Sequence, residues 1–171
     1  MSALTELFLA ANRKTLALWH GRIQTCLDRL TPDQIWWRSG DNANAIGNLV
    51  LHLCGNVRQW IIAGAGGAPD LRQRDAEFNQ REALPTDQLK QRLASTVAEA
   101  DQVLARLTDA DLLDLRHIQV YDVTVLQAVH DSVQHFSLHA GQILYVTKLL
   151  TGADLGYYRH LSKPASTEPR P

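Results

Sequence analysis

Apolar residues recur at helical spacing through four long stretches of the chain. In the first, Leu4, Leu7, Phe8, Ala11, Leu16, Trp19, Ile23, Cys26, Leu27 and Leu30 form one face and predict a helix from Ala3 to Leu30. Thr31 and Pro32 then restart the chain as a cap and first-turn pair, in a short turn that ends near Trp37. Ser39-Gly40-Asp41-Asn42 reads as a loop. The period resumes from about Asn44 to Ala63, and Gly64-Ala65-Gly66-Gly67-Ala68-Pro69 ends that second helix. Leu71 to Leu84 is charged and irregular, with room for one short helix. Thr86, behind Pro85, caps a third helix to about Leu107, with Leu89, Leu93, Val97, Ala100, Val103, Leu104 and Leu107 inward. From Asp109 to Asp122 the chain reads as an extended connection, because the alternation at His117 to Tyr121 is too short and isolated to imply a sheet. Thr124 caps a fourth helix that runs to about Leu150 and stops at Thr151-Gly152.

Four long helical patterns without a convincing strand predict an all-α four-helix bundle. One domain is expected over residues 1–160, followed by a flexible Pro- and Ser-rich tail over 161–171. At 171 residues, 45% hydrophobic and 20% charged, the chain can bury a sizeable core. A net charge of -1 with no run of Lys and Arg argues against a nucleic-acid partner. No apolar run has membrane-spanning length, and Met1 to Lys14 lacks the form of a secretory signal. Cys26 and Cys54 sit among apolar neighbours and read as buried, reduced thiols of a cytoplasmic protein.

The candidate chemistry lies in the histidines. His135 and His139 are four apart on the fourth helix, which puts two imidazoles on one face and within reach of one metal ion. Asp131 and Gln142 extend that polar line on a helix whose adjoining surface is apolar. On the second helix His52 lies in a similar stripe, with Asn48 one turn before it, Asn56 one turn after and Gln59 further on. An inward polar stripe must find partners, since a buried unpaired polar group costs roughly 1–3 kcal/mol. A metal on His52, His135 and His139, with Asn48, Asn56 and Gln142 hydrogen-bonded around the imidazoles, would supply them. Without further context, such a histidine pair is more often solvent-facing or a satisfied part of the core.

Two of these segments carry a family resemblance. Asn44-Ala45-Ile46-Gly47-Asn48-Leu49-Val50-Leu51-His52-Leu53 resembles the second helix of the DinB-like proteins, a group that includes damage-inducible and thiol-transferase members. His135-Phe136-Ser137-Leu138-His139-Ala140-Gly141-Gln142-Ile143 resembles their fourth-helix motif, in which His-x-x-x-His is followed by a small residue, Gly and Gln. In helix order and spacing the resemblance runs from about Leu4 to Tyr158. It implies an up-down-down-up bundle, zinc or nickel on three histidines matching His52, His135 and His139, and a homodimer. It also implies, for some members, transfer of a low-molecular-weight thiol such as bacillithiol or mycothiol, or a thiol-dependent isomerisation of maleylpyruvate. No thiol-binding motif stands in this sequence.

Three protein ligands leave a tetrahedral metal one position short. Water or a thiol in that position would ionise near neutral pH, so hydrolysis and thiol transfer share one expected site. The alternative is a non-catalytic, metal-bound helical dimer with a stress-related role. Asp131 is the candidate catalytic base or orienter of His135; a solvated carboxylate early in the helix explains it equally well. His130 is expected in the core or an interface, and His20, His117 and His160 on the surface. Trp36, Trp37 and Trp60 read first as core and second as pocket or dimer lining. Arg72, Arg74, Asp75 and Glu77 could reach over the metal and hold an anionic substrate, although such clusters are more often solvated loop.

Overall fold

The computed structural model describes residues 1–161, so the end of the chain, with the tail predicted from 161 onward, lies outside the described residues apart from Leu161. Helix α1 (Ala3–Arg29) is followed by the short α2 (Pro32–Ile35), and α3 (Ile46–Val57) continues as a π-helical segment over Arg58–Ala65. Then come α4 (Arg74–Asn79), α5 (Thr86–Arg106), α6 (Asp109–Leu113), strands β1 (Leu115–Ile118) and β2 (Tyr121–Thr124), α7 (Val125–Thr151) and a 3₁₀ turn at Arg159–Leu161.

The long helices begin and end where local chemistry dictates. Ser2 and Thr124 accept from the backbone N–H groups of Thr5 and Gln127, and Thr31 forms a reciprocal capping box with Gln34. Gly152 takes the left-handed conformation, φ 64°, that ends α7. Pro85, rather than Thr86, occupies the cap of α5.

Helix α1 packs on α5 and α7, and α3 with its π segment packs on the same two from the other side. Arg13 of α1 bonds Asp101 of α5, and Gln24 reaches the Lys90 carbonyl. All twelve residues of α3 are buried, which makes it the central helix. Trp36 lies flat on that helix at Gly47, where a Cβ would stand 2.7 Å from the indole. Trp36 is therefore core, while Trp37 is 40% exposed.

Two sequence-based expectations change. Leu4 and Leu7 face outward, at 79% and 69% exposure, because the seam of α1 runs through Thr5, Leu9, Asn12 and Leu16 instead. The segment read as an extended connection is an antiparallel hairpin, pairing Leu115 with Thr124 and Ile118 with Tyr121, so the protein is mostly rather than wholly helical. Two strands alone are marginal in water. This pair is stabilised by packing: Ile118 and Val123 cluster with Ala128 and Trp60. Ile118 also fits against Gly64, where a Cβ would stand 2.4 Å from its Cδ1.

Candidate metal centre

Helices α3 and α7 bring His52, His135 and His139 together, each offering one ring nitrogen, with those atoms all within 4.8 Å of one another. The ring centroids are 5.0 Å apart for His52 with either partner and 4.4 Å for His135 with His139. His52 is buried and the other two are half-buried.

Hydrogen bonds behind the rings fix which nitrogens face inward. His52 Nδ1 lies 2.9 Å from Glu77 Oε2, and His139 Nδ1 lies 2.7 Å from Gln142 Oε1. Burial pushes the Glu77 carboxyl up, but hydrogen bonds from Arg72 and His52 outweigh it and hold the group below the ordinary range. An ionised carboxylate only accepts, so His52 donates from Nδ1 and turns Nε2, the nitrogen that a metal would use, toward the cluster. Gln142 Oε1 does the same for His139. Burial lowers the His135 pKa to about 4, helped by the neighbouring His139 and His52. Burial lowers His139 as well, against the bond from Gln142. Both are neutral at pH 7, as metal ligation requires.

His52 Nε2 and His135 Nε2 are 2.8 Å apart. Two lone pairs at that distance repel, so either a proton or a cation must lie between them. The donor set, three imidazoles with two Nδ1 atoms already engaged, fits a divalent transition metal.

The polar groups expected around the imidazoles divide. Gln142 bonds His139 directly. Asn48 touches no imidazole: it accepts from Arg38 at 2.6 Å and from the Ala45 N–H at 3.2 Å, and donates to the carbonyls of Glu77 at 2.9 Å and Gln80 at 3.0 Å. It anchors the connection after α3 rather than a ring. Asn56 accepts from the Ser132 hydroxyl at 3.0 Å and ties α3 to α7. Asp131 is half-buried and has no side-chain hydrogen bond among the described residues, so it does not orient His135 here. His130 is exposed on α7, so of the two expected settings, core or interface, the core is excluded. His117 is exposed and pairs with Asp122, whereas His20 is half-buried beside Gln24.

The charged connection does reach the metal centre, but it pairs internally. Arg72 donates to both Glu77 oxygens, at 2.8 and 2.9 Å, and to Gln59 Oε1 at 2.9 Å. Gln59 in turn donates to Asp70 at 2.7 Å and accepts from Gln119 at the hairpin turn. Asp75 stays exposed, Arg74 stacks on Phe78, and the Phe78 ring lies 4.7 Å from that of His52. Sequence reasoning left Glu77 as one of two uses for a charge cluster, because it comes from an aperiodic segment 25 positions from its partner.

His139 also lines an open cleft of ≈ 680 Å³ with Asn44, Leu49, Leu138, Gly141, Gln142, Tyr145 and Val146. Among the described residues, no helix is long and apolar enough to cross a membrane.

Comparison with known proteins is consistent with this architecture. Residues 3–166 match a family described as "Protein of unknown function (DUF1572)". No curated protein matches. A conserved protein from Enterococcus faecalis is similar in structure, with 17% identity, a TM-score of 0.72, and 90% of this chain and 100% of that one covered. A DinB-like protein from Bacillus subtilis is similar at 15% identity and a TM-score of 0.66, over 86% of this chain and 97% of that one. These identities speak to the fold alone. The chain belongs to the DUF1572 family, has the helical fold of a DinB-like protein, and carries three histidines placed to hold a metal ion.

Proposed function

We propose that this protein is a metal-dependent enzyme acting on a small molecule, as a thiol S-transferase or a hydrolase, with zinc or nickel held by His52, His135 and His139. The observation that carries the reading is the convergence of three ring nitrogens within 4.8 Å next to a cleft lined by one of the ligands. Such an ion supplies an open coordination position that lowers the pKa of an exogenous ligand, whether water or a thiol. The chain's own contribution is to aim the imidazoles, with Glu77 behind His52 and Gln142 behind His139, while burial favours the neutral forms of His135 and His139. Leu49, Leu138 and Tyr145 would hold an apolar part of the substrate beside His139. Asp131, unpaired and one turn from His135, remains available as a base.

The finer architecture is part of the same proposal. Arg13 with Asp101 and Gln24 with Lys90 support antiparallel α1 and α5; His52 with His135 and Asn56 with Ser132 support antiparallel α3 and α7. With Arg29 reaching the Asp154 carbonyl, these pairs favour an up-down-down-up bundle. The outward apolar residues Leu4, Leu7 and Leu149 favour a homodimer. Two free, buried cysteines favour the cytoplasm.

The two chemistries separate by what binds the loaded protein. If thiol transfer is correct, a low-molecular-weight thiol raises the melting temperature of the zinc-loaded protein and leaves His135→Ala unchanged. Turnover of an ester or amide with no response to any thiol would reject transfer in favour of hydrolysis. Neither response would favour the non-catalytic dimer.

A further inference from the structure

The connection between α3 and α5 is organised around one carboxylate. Glu77 is 7% exposed, and its oxygens meet Arg72, itself 3% exposed at the side chain, and His52. Asn48 holds the backbone of Glu77 and Gln80 from below, so the carboxylate is fixed at both ends. Gly55, three residues beyond His52 on α3, makes this approach feasible. A Cβ there would stand 1.8 Å from Glu77 Oε1 and 2.6 Å from its Cδ. Stability alone does not explain such an arrangement, since a buried ion pair contributes little beyond what a packed apolar pair would.

We propose that Glu77 is a positioning residue for the metal ligand His52, held by Arg72 and admitted by Gly55, and that it sets the tautomer of the ring. The proposal rests on the metal-centre reading. His52 Nδ1 has two neighbours, Glu77 Oε2 at 2.9 Å and Arg72 Nη2 at 3.2 Å. If Nδ1 accepted from Arg72, its lone pair would face a carboxylate oxygen at the shorter distance, and the proton on Nε2 would block ligation. If Nδ1 of the neutral ring donates to Glu77, Arg72 and His52 share one acceptor, Nε2 is bare, and in the metal-free protein His135 donates from its Nε2 to His52. A carboxylate behind a ligating imidazole also raises its basicity, and such partners contribute about 10–100-fold to metal affinity.

The test uses three full-length proteins, wild type, Gly55→Ala and Glu77→Gln. Long-range proton–nitrogen NMR of the metal-free, ¹⁵N-labelled protein reports which ring nitrogen of His52 carries the proton. Chelator competition gives zinc affinity. Wild type should show Nδ1–H. Glu77→Gln should shift the ring toward Nε2–H, because the amide can donate to Nδ1, and weaken zinc binding about 10–100-fold. Gly55→Ala should do likewise with every polar group still present and with a better helix former in α3. Nε2–H on His52 in the wild type, or wild-type zinc affinity in both variants, would overturn the assignment. Should Gly55→Ala fail to fold, Glu77→Gln decides alone. If the wild type binds no zinc, the metal reading fails, while the tautomer measurement still decides the role of Glu77.

Discussion

Replacing Asn48 by Ala should destabilise the protein strongly, although Asn48 touches no imidazole. The side chain is fully buried and has four main partners: Arg38, the Ala45 N–H, and the carbonyls of Glu77 and Gln80. Arg38 and Gln80 lie nearer solvent, so water can replace part of what they lose. The Ala45 N–H and the Glu77 carbonyl are bonded in buried surroundings and would be left unpaired. At roughly 1–3 kcal/mol for each of these two groups, the expected loss is about 2–6 kcal/mol. For a chain of this size about 1 kcal/mol moves the melting temperature by about 2–4 °C, so the drop should be roughly 4–24 °C. Urea denaturation read by circular dichroism measures the free energy, and the slope should stay at its wild-type value. A loss below about 0.5 kcal/mol, the range of an ordinary surface substitution, would refute the assignment of Asn48 as the anchor of this connection.

Three further outcomes follow from the geometry. Gly64→Ala places a Cβ against Ile118 and should destabilise by about 1–3 kcal/mol, as overpacking does, with relief in the double variant carrying Ile118→Ala; equal stability of Gly64→Ala and wild type would contradict it. Gly152→Ala forces a side chain into the left-handed region at the end of α7 and should cost about 1–2 kcal/mol in a thermal melt. The hydrogen bond from Arg13 holds the Asp101 carboxyl below its usual range, so its contribution is present above the ordinary carboxylate pKa and fades as pH falls through the depressed value. Asp101→Asn should therefore be less stable than wild type at pH 7, by no more than about 1 kcal/mol for so exposed a pair, and the gap should close in strong acid.

What the sequence made legible follows from how local each signal is. The helices of the bundle came from period and caps, and Thr31, Thr124 and Gly152 act as their residue types suggest. The histidine pair came from one helix's spacing, and His52 from the polar stripe of another. The hairpin was missed because its strands are held by Gly64, Trp60 and Ala128, none of which is near in sequence except Ala128. Glu77 was weighed only as part of a charge cluster for the same reason: its partners are Gly55, His52 and Arg72, and only the folded chain brings the first two to it. Asn48 and Asn56 were placed correctly on the inward stripe of α3, yet both serve the packing of neighbouring segments, because buried amides bond whatever backbone or hydroxyl lies closest.

The central claim is that three histidines hold one ion. Elemental analysis of the protein purified without a histidine tag, after growth with added zinc and nickel, measures it directly. The account predicts about one ion per chain in the wild type. It predicts a large loss in each of His52→Ala, His135→Ala and His139→Ala, with each variant still helical by circular dichroism. A wild type that carries only a trace of metal, or a His135→Ala protein that keeps the full amount, would contradict it.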